Sequence, residues 1–162
     1  MSLGEQTVGG GAAMAPSSAF FSGPISRLIA AHGVAQVGLA EVEEFVGGSG
    51  NSLLFFAGDP ERYPESLDVA AVLPELMKAF PQRFRVGLVC AEAELALQLE
   101  FGFGVWPALV FLRQGAYLGV LTGMRDWGDY LREIPILLAA PASRPPSLGV
   151  AVHGQAGGAC GG

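Results

Sequence analysis

Paired cysteines are missing from this sequence, and their absence removes more chemistry than any other single feature. The two cysteines, Cys90 and Cys160, stand far apart. There is no Cys-x-x-Cys, no Cys/His spacing suited to zinc and no disulfide framework. Dithiol exchange needs an attacking thiolate beside a resolving thiol, so disulfide oxidoreductase activity is excluded unless a distant cysteine is recruited. Cys90 ends an apolar run and reads as a small buried hydrophobe. The alternative, a single-cysteine redox protein working through Cys90, needs an exposed thiol of depressed pKa. No metal site, cofactor or catalytic residue is assigned.

Long hydrophobic runs are scarce too. None approaches the ~20 residues that span a bilayer; Val105–Leu112 and Ile134–Ala140 are too short. Basic residues are few, and the first is Arg27. No basic region therefore precedes the mildly apolar N-terminal stretch, no export signal is expected, and the expected location is cytoplasmic. Charged residues make up only 15% of the chain, with a net charge of −6 that is unevenly placed. Glu41, Glu43, Glu44, Asp59, Glu61, Glu65 and Asp68 are opposed over that span by Arg62 alone. Such a field repels nucleic acid and favours basic partners; ordinary solubilising charge is the plainer explanation.

What is abundant is apolar residues, 51% of the 162, enough for one compact domain. They are confined to the middle. Residues 1–19 are rich in Gly, Ala and Ser, and 141–162 reads PASRPPSLGVAVHGQAGGACGG. Neither stretch has a periodic apolar face to offset the entropy of ordering it, so both are expected to be disordered tails around a domain at 20–140.

Within that domain Pro24 opens a helix that Gly33 ends, with His32 as a cap or surface residue. A short strand at Ala35–Leu39 and a helix at Glu41–Val46 follow. Ser52–Phe56 is a continuous apolar run, the pattern of a strand buried on both faces. Pro64–Phe80 has helical spacing, with Pro74 expected to kink it. Phe84–Cys90 reads as a strand and Glu92–Phe101 as a helix. Ala108–Arg113 and Tyr117–Thr122 form a hairpin across Gln114-Gly115. Asp126 caps a last helix with Trp127, Tyr130, Leu131 and Ile134 on its inner face, expected to stop near Pro135. Strands joined by helices imply parallel pairing, and the hairpin adds antiparallel strands. The fold class is α/β, with a central mixed sheet between helical layers.

This order resembles thioredoxin. Phe55-Phe56-Ala57 is similar to the strand end that delivers the thioredoxin active-site loop. Phe101-Gly102-Phe103-x-x-Trp106-Pro107 is similar to the approach to that family's cis-proline, so a cis Trp106–Pro107 bond is predicted. Residues 107–115 resemble the strand and turn beyond it. The resemblance thus implies a thioredoxin-like three-layer α/β/α domain. The departure lies in the loop, where Gly58-Asp59-Pro60-Glu61-Arg62-Tyr63-Pro64-Glu65 replaces the paired-cysteine motif.

A closer resemblance spans nearly the whole folded region. Its blocks are Asp59-Pro60-x-Arg62-x-Pro64-Glu65, Glu75-Leu76-x-x-x-Phe80-Pro81, Phe101-Gly102-x-x-x-x-Pro107-Ala108-x-Val110-Phe111 and Tyr117-x-Gly119-Val120-Leu121-x-Gly123-x-x-x-Trp127. Together they are similar to the HyaE/HupG/HoxO group of accessory proteins for nickel–iron hydrogenase maturation. That resemblance implies a non-catalytic cytoplasmic chaperone for the hydrogenase small-subunit precursor, recognising its twin-arginine signal peptide before export. An adaptor for other hydrogenase accessory proteins is the alternative.

The residues are compatible with such a client, whose signal presents a basic region followed by an apolar stretch. Carboxylates at Asp59, Glu61, Glu65 and Asp68 can form bidentate pairs with arginines. Backbone beside Pro107 can pair with an extended peptide, and Tyr63, Trp106 and Trp127 can supply apolar contact. Each has a plainer role. Helical spacing predicts core packing for Trp127, Trp106 can pack or face a ligand, Asp59 can organise its own turn, and Arg62 can be a counter-charge for Glu61 or Glu65.

Overall fold

The computed structural model describes residues 23–146. The tail expected at 1–19, and all of the second tail beyond residue 146, lie outside the described residues. The elements are α1 (Pro24–His32), β1 (Ala35–Val37), α2 (Val42–Gly47), β2 (Asn51–Phe56), α3 (Glu65–Ala79), β3 (Arg85–Val89), α4 (Ala91–Phe101), β4 (Ala108–Arg113), β5 (Ala116–Thr122) and α5 (Trp127–Ala139). Among them no helix is long and apolar enough to cross a membrane.

The five strands form one mixed sheet in the order β1-β3-β2-β4-β5. β1, β3 and β2 run parallel, while β4 is antiparallel to both β2 and β5. β2 is central and covered on both faces, which is why its sequence is apolar without alternation. Leu53 and Phe55 point into one core with Ile25 and Leu28 of α1, Leu73 and Leu76 of α3, and Tyr130 and Ile134 of α5. Leu54 and Phe56 point the other way, to Val42 and Val46 of α2 and Leu97 and Phe101 of α4. The protein is therefore a three-layer α/β/α sandwich.

Register decides what meets at the end of this sheet. Phe56 pairs with Ala108, and Ala108 with Thr122. The loop leaving β2, the segment entering β4 and the turn leaving β5 therefore emerge side by side. Because β3 runs parallel to β2, with Phe55 opposite Leu88, Cys90 and the start of α4 reach the same end.

Three expectations are corrected here. α5 does not stop near Pro135 but continues through it to Ala139. Proline removes one helical hydrogen bond, yet Ile134 and Leu138 on either side of it are buried and hold the helix to the sheet. Arg113 also reaches the helix end, its Nη2 donating to the carbonyls of Leu138 at 2.8 Å and Ala140 at 2.9 Å. Second, Trp127 and Leu131 are not core residues. Tyr130, Ile134 and Leu138 form the buried stripe, and Trp127 continues its line past the edge of the core. Third, β1 ends at Val37 rather than Leu39, because the amide of Gly38 turns to the Glu41 carboxylate at 2.9 Å. The chain also stays attached beyond Ala140: Ser143 N donates to Tyr117 O at 2.9 Å, and Pro146 lies against Gly102.

Replacing Arg113 by Met keeps its apolar stem but leaves two helix-end carbonyls unsatisfied. This should lower the unfolding free energy by about 2 kcal/mol. In hydrogen exchange, protection should drop first in the part of α5 that follows Pro135. Uniform loss of protection across the sheet would contradict a local role.

Candidate functional site

The loop that follows β2 is shaped by tight local contacts. Gly58 has φ +69°, and a Cβ there would lie 2.3 Å from Trp106 Cδ1 and 2.8 Å from Tyr63 Cδ2. Only glycine satisfies both the backbone conformation and the space. Asp59 then organises the turn as its sequence context suggested. Its Oδ1 accepts from Glu61 N at 3.0 Å, and its carbonyl accepts from Arg62 N at 2.9 Å and Tyr63 N at 2.7 Å. The turn delivers Tyr63 onto Trp106, with the rings stacked at 6.0 Å and 20°. Trp106 in turn packs on Phe103 at 5.0 Å, and Phe103 on Phe56 at 4.7 Å. An aromatic column thus joins the loop to β2.

The Trp106–Pro107 bond is cis. Pro107 is buried, and its carbonyl accepts from Gly123 N at 2.7 Å. Glu65 Oε1 accepts from Met124 N at 3.4 Å. The structure therefore brings Tyr63, Glu65, Trp106 and Pro107 together, with the Gly123-Met124 turn as a neighbour the sequence did not single out. Asp59 and Glu61 lie on the same loop, and Asp68 on the first turn of α3; all three are exposed. Trp127 is exposed at the start of α5, three residues after Met124. None of Asp59, Glu61, Glu65 and Asp68 forms a salt bridge among the described residues. Arg62 does not neutralise Glu61 or Glu65; its guanidinium lies over the Tyr63 ring, 5.9 Å from the centroid.

One residue of this site was missed. Glu94, in the first turn of α4, reaches across and accepts from Gly58 N at 2.9 Å. Burial pushes its pKa up, opposed by the Gly58 hydrogen bond and by the nearby Trp106 indole. That indole Nε1 is buried without a partner in hydrogen-bond geometry, so its effect on Glu94 is one of proximity. A lone Glu in a helix gives no sequence signal for such a role, since its partner is 36 positions away.

The comparisons with known proteins bear on this geometry. The model of the family described as "Hydrogenase-1 expression protein HyaE" matches residues 25–130. The chain belongs to the HyaE family. It is 44% identical over 160 residues to the hydrogenase expression/formation protein HoxO of Cupriavidus necator, covering 91% of this chain and 99% of that one. It is 37% identical over 128 residues to the hydrogenase expression/formation protein HupG of Bradyrhizobium diazoefficiens, covering 76% and 86%. Among solved structures it is similar to a hydrogenase expression/formation protein hupG from Rhodopseudomonas palustris CGA009. That likeness has 42% identity, covers 65% of this chain and 95% of that one, and has a TM-score of 0.47. The matched family segment contains the whole loop, Glu94, the Trp106–Pro107 bond and the start of α5.

Cys90 lies at the same sheet end but is poorly suited to nucleophilic work. Burial raises its pKa first, and the carboxylates of Glu92, Glu41 and Glu94 raise it further. A cleft of about 560 Å³ lies between α2 and α4, lined by Leu39, Val42, Val46, Leu97 and Phe101. None of the loop residues lines it.

Two outcomes follow. In a Cys160→Ser background, alkylation of Cys90 should have a pH midpoint above that of free cysteine, about 8.5; a midpoint below it would restore the redox alternative. For Glu94 the folded pKa is raised, so the folded state binds the proton more tightly. Its contribution to stability is complete below the unfolded value of about 4.3 and is lost as pH rises through the folded one. Glu94→Gln retains an acceptor for Gly58 N. The stability difference between wild type and Glu94→Gln should therefore shift towards wild type as pH falls from about 7 to about 4. A flat difference in denaturant titrations would contradict it.

Proposed function

We propose that this protein acts in hydrogenase maturation as a non-catalytic chaperone that binds the twin-arginine signal peptide of the small-subunit precursor in the cytoplasm. The maturation role rests on family membership and on the names of the relatives. The client rests on one observation: around the loop beside Pro107, four carboxylates, Asp59, Glu61, Glu65 and Asp68, form no salt bridge among the described residues.

Carboxylates without ion pairs, grouped on the loop and on the first turn of α3, favour a cationic ligand. Arginine suits them better than lysine, because its planar fork can engage two oxygens at once. Arg62 already lies over the Tyr63 ring, so a client guanidinium that stacks there takes its place. On this reading the scaffold keeps a thioredoxin-like place for an extended chain but performs no chemistry on it. The raised pKa of Cys90 supports that.

Titration of a fluorescently labelled signal peptide into the full-length protein tests the proposal. Binding should weaken as salt rises. It should fall about tenfold or more when both arginines become glutamine, or when Glu61 and Glu65 become lysine, with the variant still unfolding in one cooperative transition. Equal binding by the arginine-free peptide would sink it. Equal capture of the precursor with and without its signal peptide would favour the adaptor reading instead, with Leu95 and Leu99, exposed on α4, as the contact.

A further inference from the structure

From the Glu65–Met124 contact onward, the chain leaves three large apolar side chains uncovered. Met124, Trp127 and Leu131 are 38%, 43% and 40% exposed. Single apolar residues on a surface are ordinary; these three lie close together in sequence. Trp127 and Leu131 stand a helical turn apart at the start of α5, and Met124 lies in the turn that leads to them. That turn is fastened on both sides. Gly123 N donates to Pro107 O at 2.7 Å, and Met124 N to Glu65 Oε1 at 3.4 Å. The hydroxyl of buried Tyr130 donates to Met124 Sδ at 3.8 Å. The basic residues of this stretch are already engaged, Arg125 with Glu133 and Arg132 with Asp129. Neither neutralises Glu65, so an apolar ledge and an unneutralised carboxylate adjoin.

We propose that Met124, Trp127 and Leu131 form the subsite for the apolar residues that follow the cationic ones in a bound peptide. This rests on the signal-peptide reading above. The occupant is defined by its chemistry: an extended chain whose arginine is held at Glu65 while apolar side chains cover the ledge. Charge complementarity fixes one end and the Glu65–Met124 contact fixes the direction of the other. Met124 N lies 3.4 Å from Glu65 Oε1, and an extended chain advances at most ~3.6 Å per residue, so the first apolar anchor falls within a few residues of the arginine.

A two-by-two peptide titration on the full chain tests this. One peptide carries the arginine pair and its apolar stretch; the other has the apolar residues changed to serine. Wild type should prefer the first by about tenfold or more. Trp127→Ser/Leu131→Ser should reduce that preference to about twofold or less while keeping full sensitivity to arginine replacement and salt. Both side chains are exposed, so folding should persist; Met124→Gln gives a second, milder variant with the same expected direction. Undiminished preference in both variants would overturn the ledge and leave the signal-peptide reading standing. Insensitivity of wild type to arginine replacement would overturn that reading itself. A wild-type dimer that becomes monomeric in the double variant would overturn the subsite too, making the ledge a contact between copies.

Discussion

The end of β2 is the fixed point on which the site depends. Both neighbours of this strand are hydrogen-bonded to it and both of its faces are buried, so Phe56 cannot shift without disturbing two cores. The chain leaves it through Gly58, where a positive φ and the closeness of Trp106 and Tyr63 permit only glycine. The Gly58 amide is then held by Glu94 from the layer on the other side of the sheet. The loop thus begins from a braced position, and the side chains that follow it inherit a defined direction. That matters for recognition, because carboxylates held in place lose less entropy on binding than carboxylates on a floppy loop.

A second constraint is that four segments must share the same end of the sheet. Parallel pairing of β2 with β3 brings Cys90 and Glu94 there, and antiparallel pairing with β4 brings Trp106 and Pro107. The hairpin adds Gly123. In a dithiol enzyme this convergence serves to lower a thiol pKa. Here burial first, and then the carboxylates of Glu92, Glu41 and Glu94, raise the pKa of Cys90 instead. These electrostatics disfavour a thiolate at Cys90 and suit the cationic ligand proposed above. The HyaE family membership gives that preference a biological setting.

Much of the fold was legible because its signals are local. Ser52–Phe56 reads as a doubly buried strand since five consecutive residues are apolar or small, and Gln114-Gly115 reads as a turn from its glycine and its flanking strands. Asp59 was readable both as a turn organiser and as a loop carboxylate, and it is both. The failures are places where a local rule was overruled from a distance. Pro135 marks a helix end by its own chemistry, but burial of Ile134 and Leu138 and the reach of Arg113 carry α5 past it. Trp127 has the helical spacing of a core residue, yet spacing fixes direction and not whether anything lies beneath. Glu94 carries no local signal that sets it apart from the other acids of the chain. Only the three-dimensional register shows that it faces Gly58.

The central claim is that an arginine-bearing peptide lies along the loop between the Tyr63–Trp106 stack and the Gly123-Met124 turn. Backbone amide shift mapping of the isotope-labelled full chain, titrated with the signal peptide, addresses that most directly. The account predicts the largest perturbations within residues 58–68 and 123–131 and at Trp106, with little change around Leu95 and Leu99 on α4. Perturbations centred on α4 and the cleft beside Leu97, with the 58–68 loop silent, would contradict it.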